Sequence, residues 1–295
     1  MQHVLITGGT GLIGRHLIKK LQDHYTITVV SRDPSRTQRL FGDSINSLKL
    51  DEITQVNEYD AIINLAGEPI ADKRWSDNQK QIICDSRWNI TTRLVDLINN
   101  AKDKPEVFIS GSAIGIYGRQ GNTLINEDFE DYHQEFSSEL CQKWEQIALL
   151  AQTRVCLART GIVLDETGGA LAKMVMPFRL GLGGPIADGT QYMSWIHIED
   201  MVNALIFMLE NSKCVGPYNV TAPKPNTNAF FAIKLAKRLD RPCIFRVPKV
   251  IMTMLMGESS DLVLYGQKVV PERLMSAGFN FTYPTLEEAL NALDL

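Results

Sequence analysis

The sequence predicts an α/β fold built on a doubly wound parallel sheet, and three observations carry that expectation. Short aliphatic runs recur between Val4 and Leu157, stretches with helical apolar spacing separate them, and a glycine-rich turn joins the first run to the first helix. Val4-Leu5-Ile6 ends at glycine, and Gly11 to Leu21 then repeats its apolar residues at helical intervals. Thr26 to Val30 reads as a second strand, Tyr59 to Leu65 as a third, Val107 to Ser110 as a fourth and Arg154 to Leu157 as a fifth. Asn89 to Asn100 and Glu139 to Ala151 supply helices between them. Strands separated by a helix return in the same direction, which makes the sheet parallel.

At 295 residues the chain exceeds one ordinary compact domain. Residues 1–165 are expected to form the large sheet domain, with 186–214 returning to it, while 166–185 and 215–295 build a smaller substrate-side domain. Glycines at Gly168-Gly169 and from Gly181 to Gly184 mark loops, the second either enclosing substrate or serving as a plain turn. A Pro- and Asn-rich stretch from Gly216 precedes a helix near Ala229 to Leu239, and a last helix follows Pro284.

A net charge of −4 provides no basic footprint, so nucleic acid is not an expected partner. Cys84, Cys141, Cys156, Cys214 and Cys243 lie far apart, which suits reduced, buried thiols in a cytoplasmic protein better than disulfides. No apolar run approaches the roughly 18 residues of a membrane helix, and the first strand begins too early for a leader, so no membrane partner is expected. The histidines show no metal-ligand spacing, and His197 and Trp195 read as packing residues.

Thr7-Gly8-Gly9-Thr10-Gly11-Leu12-Ile13-Gly14 places glycines at 8, 11 and 14 between strand and helix. Side chains there would block the turn, the approach of a pyrophosphate to backbone N–H groups, and the packing of helix on strand. In this context Gly8, Thr10, Gly11, Leu12, Ile13 and Gly14 are candidate dinucleotide contacts of a Rossmann-type domain. After the second strand comes Ser31-Arg32, where an NAD site commonly carries an acid. A guanidinium suits a 2′-phosphate and points to NADP, although the adjacent Asp33 complicates the choice.

Several longer segments narrow the match. Asn64-Leu65-Ala66-Gly67-Glu68-Pro69-Ile70, Ser86-Arg87-Trp88-Asn89-Ile90-Thr91, Pro177 to Ile186, Trp195 to Asp200 and Gly266 to Pro271 resemble the YfcH-type epimerase family. That family is an atypical branch of the extended short-chain dehydrogenase/reductases, named for nucleoside-diphosphate-sugar epimerases. The resemblance spans nearly the whole chain. It implies that Leu65, Ala66, Gly67 and Glu68 border the cofactor and that Arg87 touches it, beside the readings of strand core for Leu65 and Ala66 and a solvated helix face for Arg87. Members often dimerise through two sheet-covering helices, so the resemblance allows a homodimer.

The wider superfamily uses a Tyr with a Lys four residues on, whose ammonium lowers the phenol pKa. No tyrosine here has Lys at that spacing. Aligned on Glu145, the Tyr position falls on Ser137 and the Lys position on Cys141. Lys143 is about 200° around the helix from the second and should not replace it. Ser112 and Tyr117, in Ser110-Gly111-Ser112-Ala113-Ile114-Gly115-Ile116-Tyr117-Gly118, are the remaining catalytic candidates, each read more readily as a turn hydroxyl or a packing aromatic. Glu127-Asp128 and Glu130-Asp131 read as a solvated loop. The functional expectation is an NADP(H)-dependent oxidoreductase or epimerase-like enzyme on a small polar metabolite, a nucleotide sugar being one candidate. The alternative is a non-catalytic NADP(H)-binding redox sensor or partner-binding protein.

Overall fold

The computed structural model describes residues 2–295. β1 (His3–Thr7) leads through the glycine turn to α1 (Leu12–Leu21), followed by β2 (Thr26–Val30), α2 (Pro34–Phe41) and β3 (Asn46–Leu48). Next come β4 (Ala61–Asn64), α3 (Asp77–Asn100), β5 (Val107–Ala113), the short β6 (Leu124–Ile125), α4 (Phe136–Ala148) and β7 (Arg154–Thr160). The chain then alternates between layers through β8 (Ile162–Leu164), α5 (Gly169–Arg179), β9 (Tyr192–Met193), β10 (Trp195–His197), α6 (Ile198–Glu210) and β11 (Gly216–Val220). It ends with β12 (Asn226–Thr227), α7 (Asn228–Arg238), α8 (Lys249–Met256), α9 (Asp261–Leu264), β13 (Lys268–Val269), α10 (Glu272–Ser276) and α11 (Leu286–Ala292).

Seven parallel strands form the main sheet in the order β11-β7-β5-β4-β1-β2-β3. Connections run outward in opposite directions from β1 and β4, which opens a crevice at their C-terminal ends. Both faces are covered, which explains the nearly continuous apolar runs. Val4, Ile6, Ile63 and Ile109 pack with Leu17, Ile18, Met201 and Leu205 on one side. Leu5, Ile62, Phe108 and Leu157 meet Leu94 and Ile98 of α3 on the other. A separate core of Leu171, Phe178, Trp195, Phe231, Leu235 and Leu290 joins α5, α7 and α11. Trp195 is fully buried there, as a packing residue should be. All five cysteines are free thiols, and four are buried. No helix among the described residues is long and apolar enough to cross a membrane.

Three differences from the sequence expectation have local causes. β3 carries Asn-Ser-Leu and pairs only with β2, so its three residues hold no readable alternation. Gly216–Val220, expected in the smaller domain, is the edge strand of the main sheet; its Gly-Pro start reads as a loop, and an edge position tolerates the proline. α3 begins well before Asn89, because Ser76 accepts the Gln79 N–H at 3.2 Å and caps the helix.

His197 ends β10 and caps α6, its Nδ1 accepting the Glu199 N–H at 3.1 Å. Burial pushes the ring from its ordinary 6.5 down to about 4. The folded state thus favours the neutral ring, and that contribution is present above pH 6.5 and lost as pH falls toward 4. Urea unfolding of wild type should therefore lose on the order of 3 kcal/mol from this group across that window. His197→Asn keeps a capping oxygen and should show a flatter dependence; an unchanged slope would rule out the buried neutral ring as its source.

Candidate active site

The crevice is organised by a buried hydrogen-bond chain. Thr7 Oγ1 donates to Asn64 Oδ1 at 2.6 Å and accepts from the Ala66 N–H at 3.2 Å, which clamps the end of β1 to the end of β4. Asn64 Nδ2 and Trp144 Nε1 both donate to Thr91 Oγ1 at 2.9 Å, extending the clamp to α3 and α4. The Leu65-Ala66 backbone consequently lies so close to Gly8 that a Cβ there would stand 2.8 Å from the Ala66 nitrogen. Gly8 also has φ +70°, a region L side chains rarely adopt. Gly14 is buried, and a Cβ on it would stand 2.6 Å from Gly9 Cα. Gly11 is exposed, and a Cβ on it would stand 3.1 Å from the Gly8 carbonyl oxygen.

The three glycines therefore do different work. Gly14 packs helix against turn rather than meeting an anion, Gly8 permits the tight turn, and Gly11 leaves room at the N-terminus of α1. α1 has no side-chain cap, and among the described residues no acceptor takes the Leu12 and Ile13 N–H groups. Free donors at a helix N-terminus with no Cβ above them form a cradle that fits a pyrophosphate. Thr10 lies at the half-buried rim of this turn.

At the end of β2, Ser31 Oγ donates to the Asp33 carbonyl at 2.9 Å. Asp33 caps α2 by accepting the Arg36 N–H at 3.2 Å and pairs with Arg39 at 3.4 Å. Its carboxylate is thus engaged within its own helix. Arg32 is exposed and has no hydrogen-bond or carboxylate partner among the described residues. Farther along, Gly67 is exposed, and Glu68 pairs with Lys73 at 3.2 Å while its N–H donates to Ser86 Oγ at 2.8 Å. Arg87 lies against Gly67, its Cζ 2.8 Å from where a Cβ on that glycine would sit.

Ser112 and Tyr117 are not brought to the crevice. Strand alternation turns Ser112 toward α4, where its Oγ donates to Glu145 Oε1 at 2.6 Å. Arg159 of β7, in register with Ser112, makes two 2.9 Å bonds to the same carboxylate and donates to Tyr117 Oη at 2.9 Å. Tyr117 Oη in turn donates to Asn219 Oδ1 at 2.7 Å, and burial pushes its phenol up to about 12. Asn219 N–H donates to Glu127 at 2.9 Å, so Glu127 is buried rather than part of a solvated loop. Its neighbour Asp128 pairs with Arg273 at the surface.

The sequence reading missed this ion-paired network. Its signal was Arg159 at the end of the apolar run Val155-Cys156-Leu157-Ala158. Ser137 donates to Glu135 at 2.9 Å, Cys141 is buried with its thiol pushed up to about 12, and Lys143 stacks on Trp88 at 3.9 Å on the outer face of α4. None of these three reproduces a Tyr/Lys pair. The Gly181 to Gly184 loop is pinned, since Gly184 abuts the Phe245 carbonyl and Ile186 bridges Val247.

A doubly wound parallel sheet with a phosphate cradle at its switch point defines a nucleotide-binding class of α/β protein. Residues 4–221 match the NAD dependent epimerase/dehydratase family, and the chain belongs to that family. Residues 247–293 match a domain of unknown function, DUF1731. The chain is 36% identical to the epimerase family protein SERP0438 of Staphylococcus epidermidis, covering 99% of each. It is 38% identical to the chloroplastic SDR39U1 homologue of Arabidopsis thaliana, covering 98% of this chain and 86% of the relative. The human epimerase family protein SDR39U1, solved with NADPH, superposes with a TM-score of 0.91 at 34% identity, covering 99% of this chain and 98% of the human one.

Replacing Arg159 with Met leaves Glu145 buried and unpaired. Urea unfolding should show a loss of about 3–5 kcal/mol. A loss below about 1 kcal/mol would mean that water already reaches the pair.

Proposed function

We propose that the chain is an NADP(H)-dependent oxidoreductase or epimerase-like enzyme acting on a small polar metabolite, nucleotide sugars being one class to screen. The observation that carries this reading is the uncapped, glycine-lined start of α1 together with an unpartnered Arg32 at the end of β2. Ser31, Arg32 and the Gly8–Gly14 turn would hold the adenosine phosphates, and the Leu65 to Glu68 backbone would border the dinucleotide. The NADPH bound by the human relative supports the choice of cofactor. Bound there, a nicotinamide supplies or accepts a hydride. The chain's own part is to hold that ring against a substrate and to manage charge without a Tyr/Lys pair.

A second reading, a non-catalytic NADP(H)-binding redox sensor or partner-binding protein, draws on α8. Val250, Ile251, Met254 and Leu255 form an apolar stripe on this helix that is exposed to solvent. Oxidation of NADPH with a carbonyl substrate supports the enzyme, whereas cofactor-dependent association without turnover supports the second reading.

Fluorescence titration of nucleotide-free protein should show tighter binding of NADPH than NADH. Arg32→Ala should weaken NADPH about tenfold or more and leave NADH nearly unchanged, the size expected for losing a charge-assisted phosphate contact. Binding of neither nucleotide would sink both readings.

A further inference from the structure

α8 is oriented the opposite way from an ordinary surface helix. At about 100° per residue, Val250, Ile251, Met254 and Leu255 share one arc of its circumference, and all are exposed, from 46% at Ile251 to 71% at Met254. Met252 and Met256, on the opposite arc, are the half-buried ones. An amphipathic helix normally buries its apolar stripe against the core. Here the stripe faces away from it. The segment before α8 continues the pattern, with Ile244 78% and Phe245 58% exposed. Leu180 and Leu182, just after α5, are exposed as well, and Arg241 ties this region to the segment by donating to the Arg179 carbonyl at 3.0 Å. Single exposed apolar side chains are ordinary, whereas a run of them from Ile244 to Leu255 marks a contact surface.

The charges of the same segment are unbalanced. Between Arg241 and Met256 the chain carries Arg241, Arg246 and Lys249 and no acid, in a protein whose net charge is −4. Arg246 donates to the Asp188 carbonyl at 2.9 Å, Lys249 to Tyr265 Oη at 3.0 Å, and Arg241 to backbone carbonyls. Among the described residues none of the three meets a carboxylate, whereas Lys73, Lys80, Lys173 and Arg119 each do. What complements this surface is therefore apolar and anionic together. Its shape narrows the choice. α8 is exposed at 249–251 and again at 253–255, so it stands as a ridge and offers no groove to a partner helix. A second copy in a two-fold contact would bring these cations toward their own counterparts, like charge toward like.

We propose that the ridge from Ile244 to Leu255 docks peripherally on an anionic lipid surface. The α8 stripe enters the boundary between headgroups and acyl chains, while Arg241, Arg246 and Lys249 meet the lipid phosphates. The sequence expectation of no membrane partner rested on the length of apolar runs, and a peripheral contact uses one face of a short helix without a spanning segment. α8 has 8 residues and buries little apolar area, so docking is reversible and needs both the stripe and the cations. Each cation near such a surface contributes about fivefold in affinity, and salt screens that contribution. The ridge uses none of the residues of the glycine cradle, so docking and cofactor binding are separable.

Flotation of the full-length protein with vesicles tests this, comparing equal parts phosphatidylglycerol and phosphatidylcholine with phosphatidylcholine alone, at low salt and in about 0.5 M NaCl. Wild type should bind the anionic vesicles at least about tenfold more tightly than the neutral ones and leave them in salt. Two variants at exposed positions separate the contributions, with circular dichroism as the check on folding. Arg246→Gln with Lys249→Gln keeps the stripe, and Val250→Ser with Met254→Ser and Leu255→Ser keeps the charges. Each should weaken binding to the anionic vesicles about tenfold or more. The proposal is overturned if wild type ignores anionic vesicles, if it binds neutral ones equally well, or if either variant binds as tightly as wild type. A wild-type dimer in size-exclusion chromatography that the serine variant returns to monomer would overturn it in favour of a second copy. Salt-sensitive binding to poly-glutamate without binding to vesicles would overturn it in favour of an acidic protein.

Discussion

The pair formed by Glu145 and Arg159 beneath the C-terminal end of the sheet governs the shape of the crevice above it. Withdrawing each ion from water costs several kcal/mol, so such a pair persists only where geometry and extra hydrogen bonds offset the loss. Here the guanidinium engages both carboxylate oxygens, Ser112 adds a third bond to the carboxylate, and Tyr117 accepts from the remaining guanidinium nitrogen. α4 is thereby keyed to β5 and β7 in one rotation. Trp144, next to Glu145 in sequence, is held against Gly111, whose Cβ would stand 3.0 Å from the ring. The same rotation delivers its indole N–H to Thr91 and completes the clamp that brings Leu65 and Ala66 beside Gly8.

That arrangement settles what the residues near the crevice are free to do. A hydroxyl bonded to a buried carboxylate and a phenol bonded to a buried guanidinium are structural members, and their protons are not available to a ligand. With Ser137 and Cys141 on the intervening face of α4, no acid or base of ordinary pKa stands where the superfamily's pair would act. The groups that line the crevice are the uncapped backbone donors at α1, the exposed Arg32 after β2 and the Arg87 guanidinium against Gly67.

The parts legible in the sequence are those set by local rules. Alternating apolar runs and helical spacing reveal the parallel sheet, because both of its faces are covered and its central strands are uniformly apolar. The glycine turn is legible because only one residue type fits each position. By contrast, β3 and β11 are edge strands stabilised by a single neighbour, so neither needs a pattern of its own. Glu127 looked like part of an acidic surface loop because nothing nearby in sequence shows that the Asn219 and Arg273 N–H groups, distant along the chain, converge on it. Ser112 and Tyr117 sit in a segment whose composition suits a site, and only strand register decides which way each points. The engagement of Asp33 was partly legible, since Asp-Pro before a helix is a capping signal that competes with a ribose-binding role.

The two sides of the crevice differ in how firmly they are held. The sheet side rests on a continuous apolar core and on buried hydrogen bonds, any of which is costly to break. The loop after β4 and the first turn of α3 meet α5 and the segment from Met254 to Glu258 through Lys173 with Asp72, Lys80 with Glu258 and Arg74 with the Met254 carbonyl, all exposed or half-exposed polar contacts. Exposed pairs of this kind contribute about 0–1 kcal/mol each and are screened by salt. The glycine cradle at α1 is therefore held by the sheet, while the opposite side of the crevice is bounded by contacts that adjust at little cost. Such an asymmetry leaves the glycine cradle preorganised and the facing segment free to shift without loss of the core.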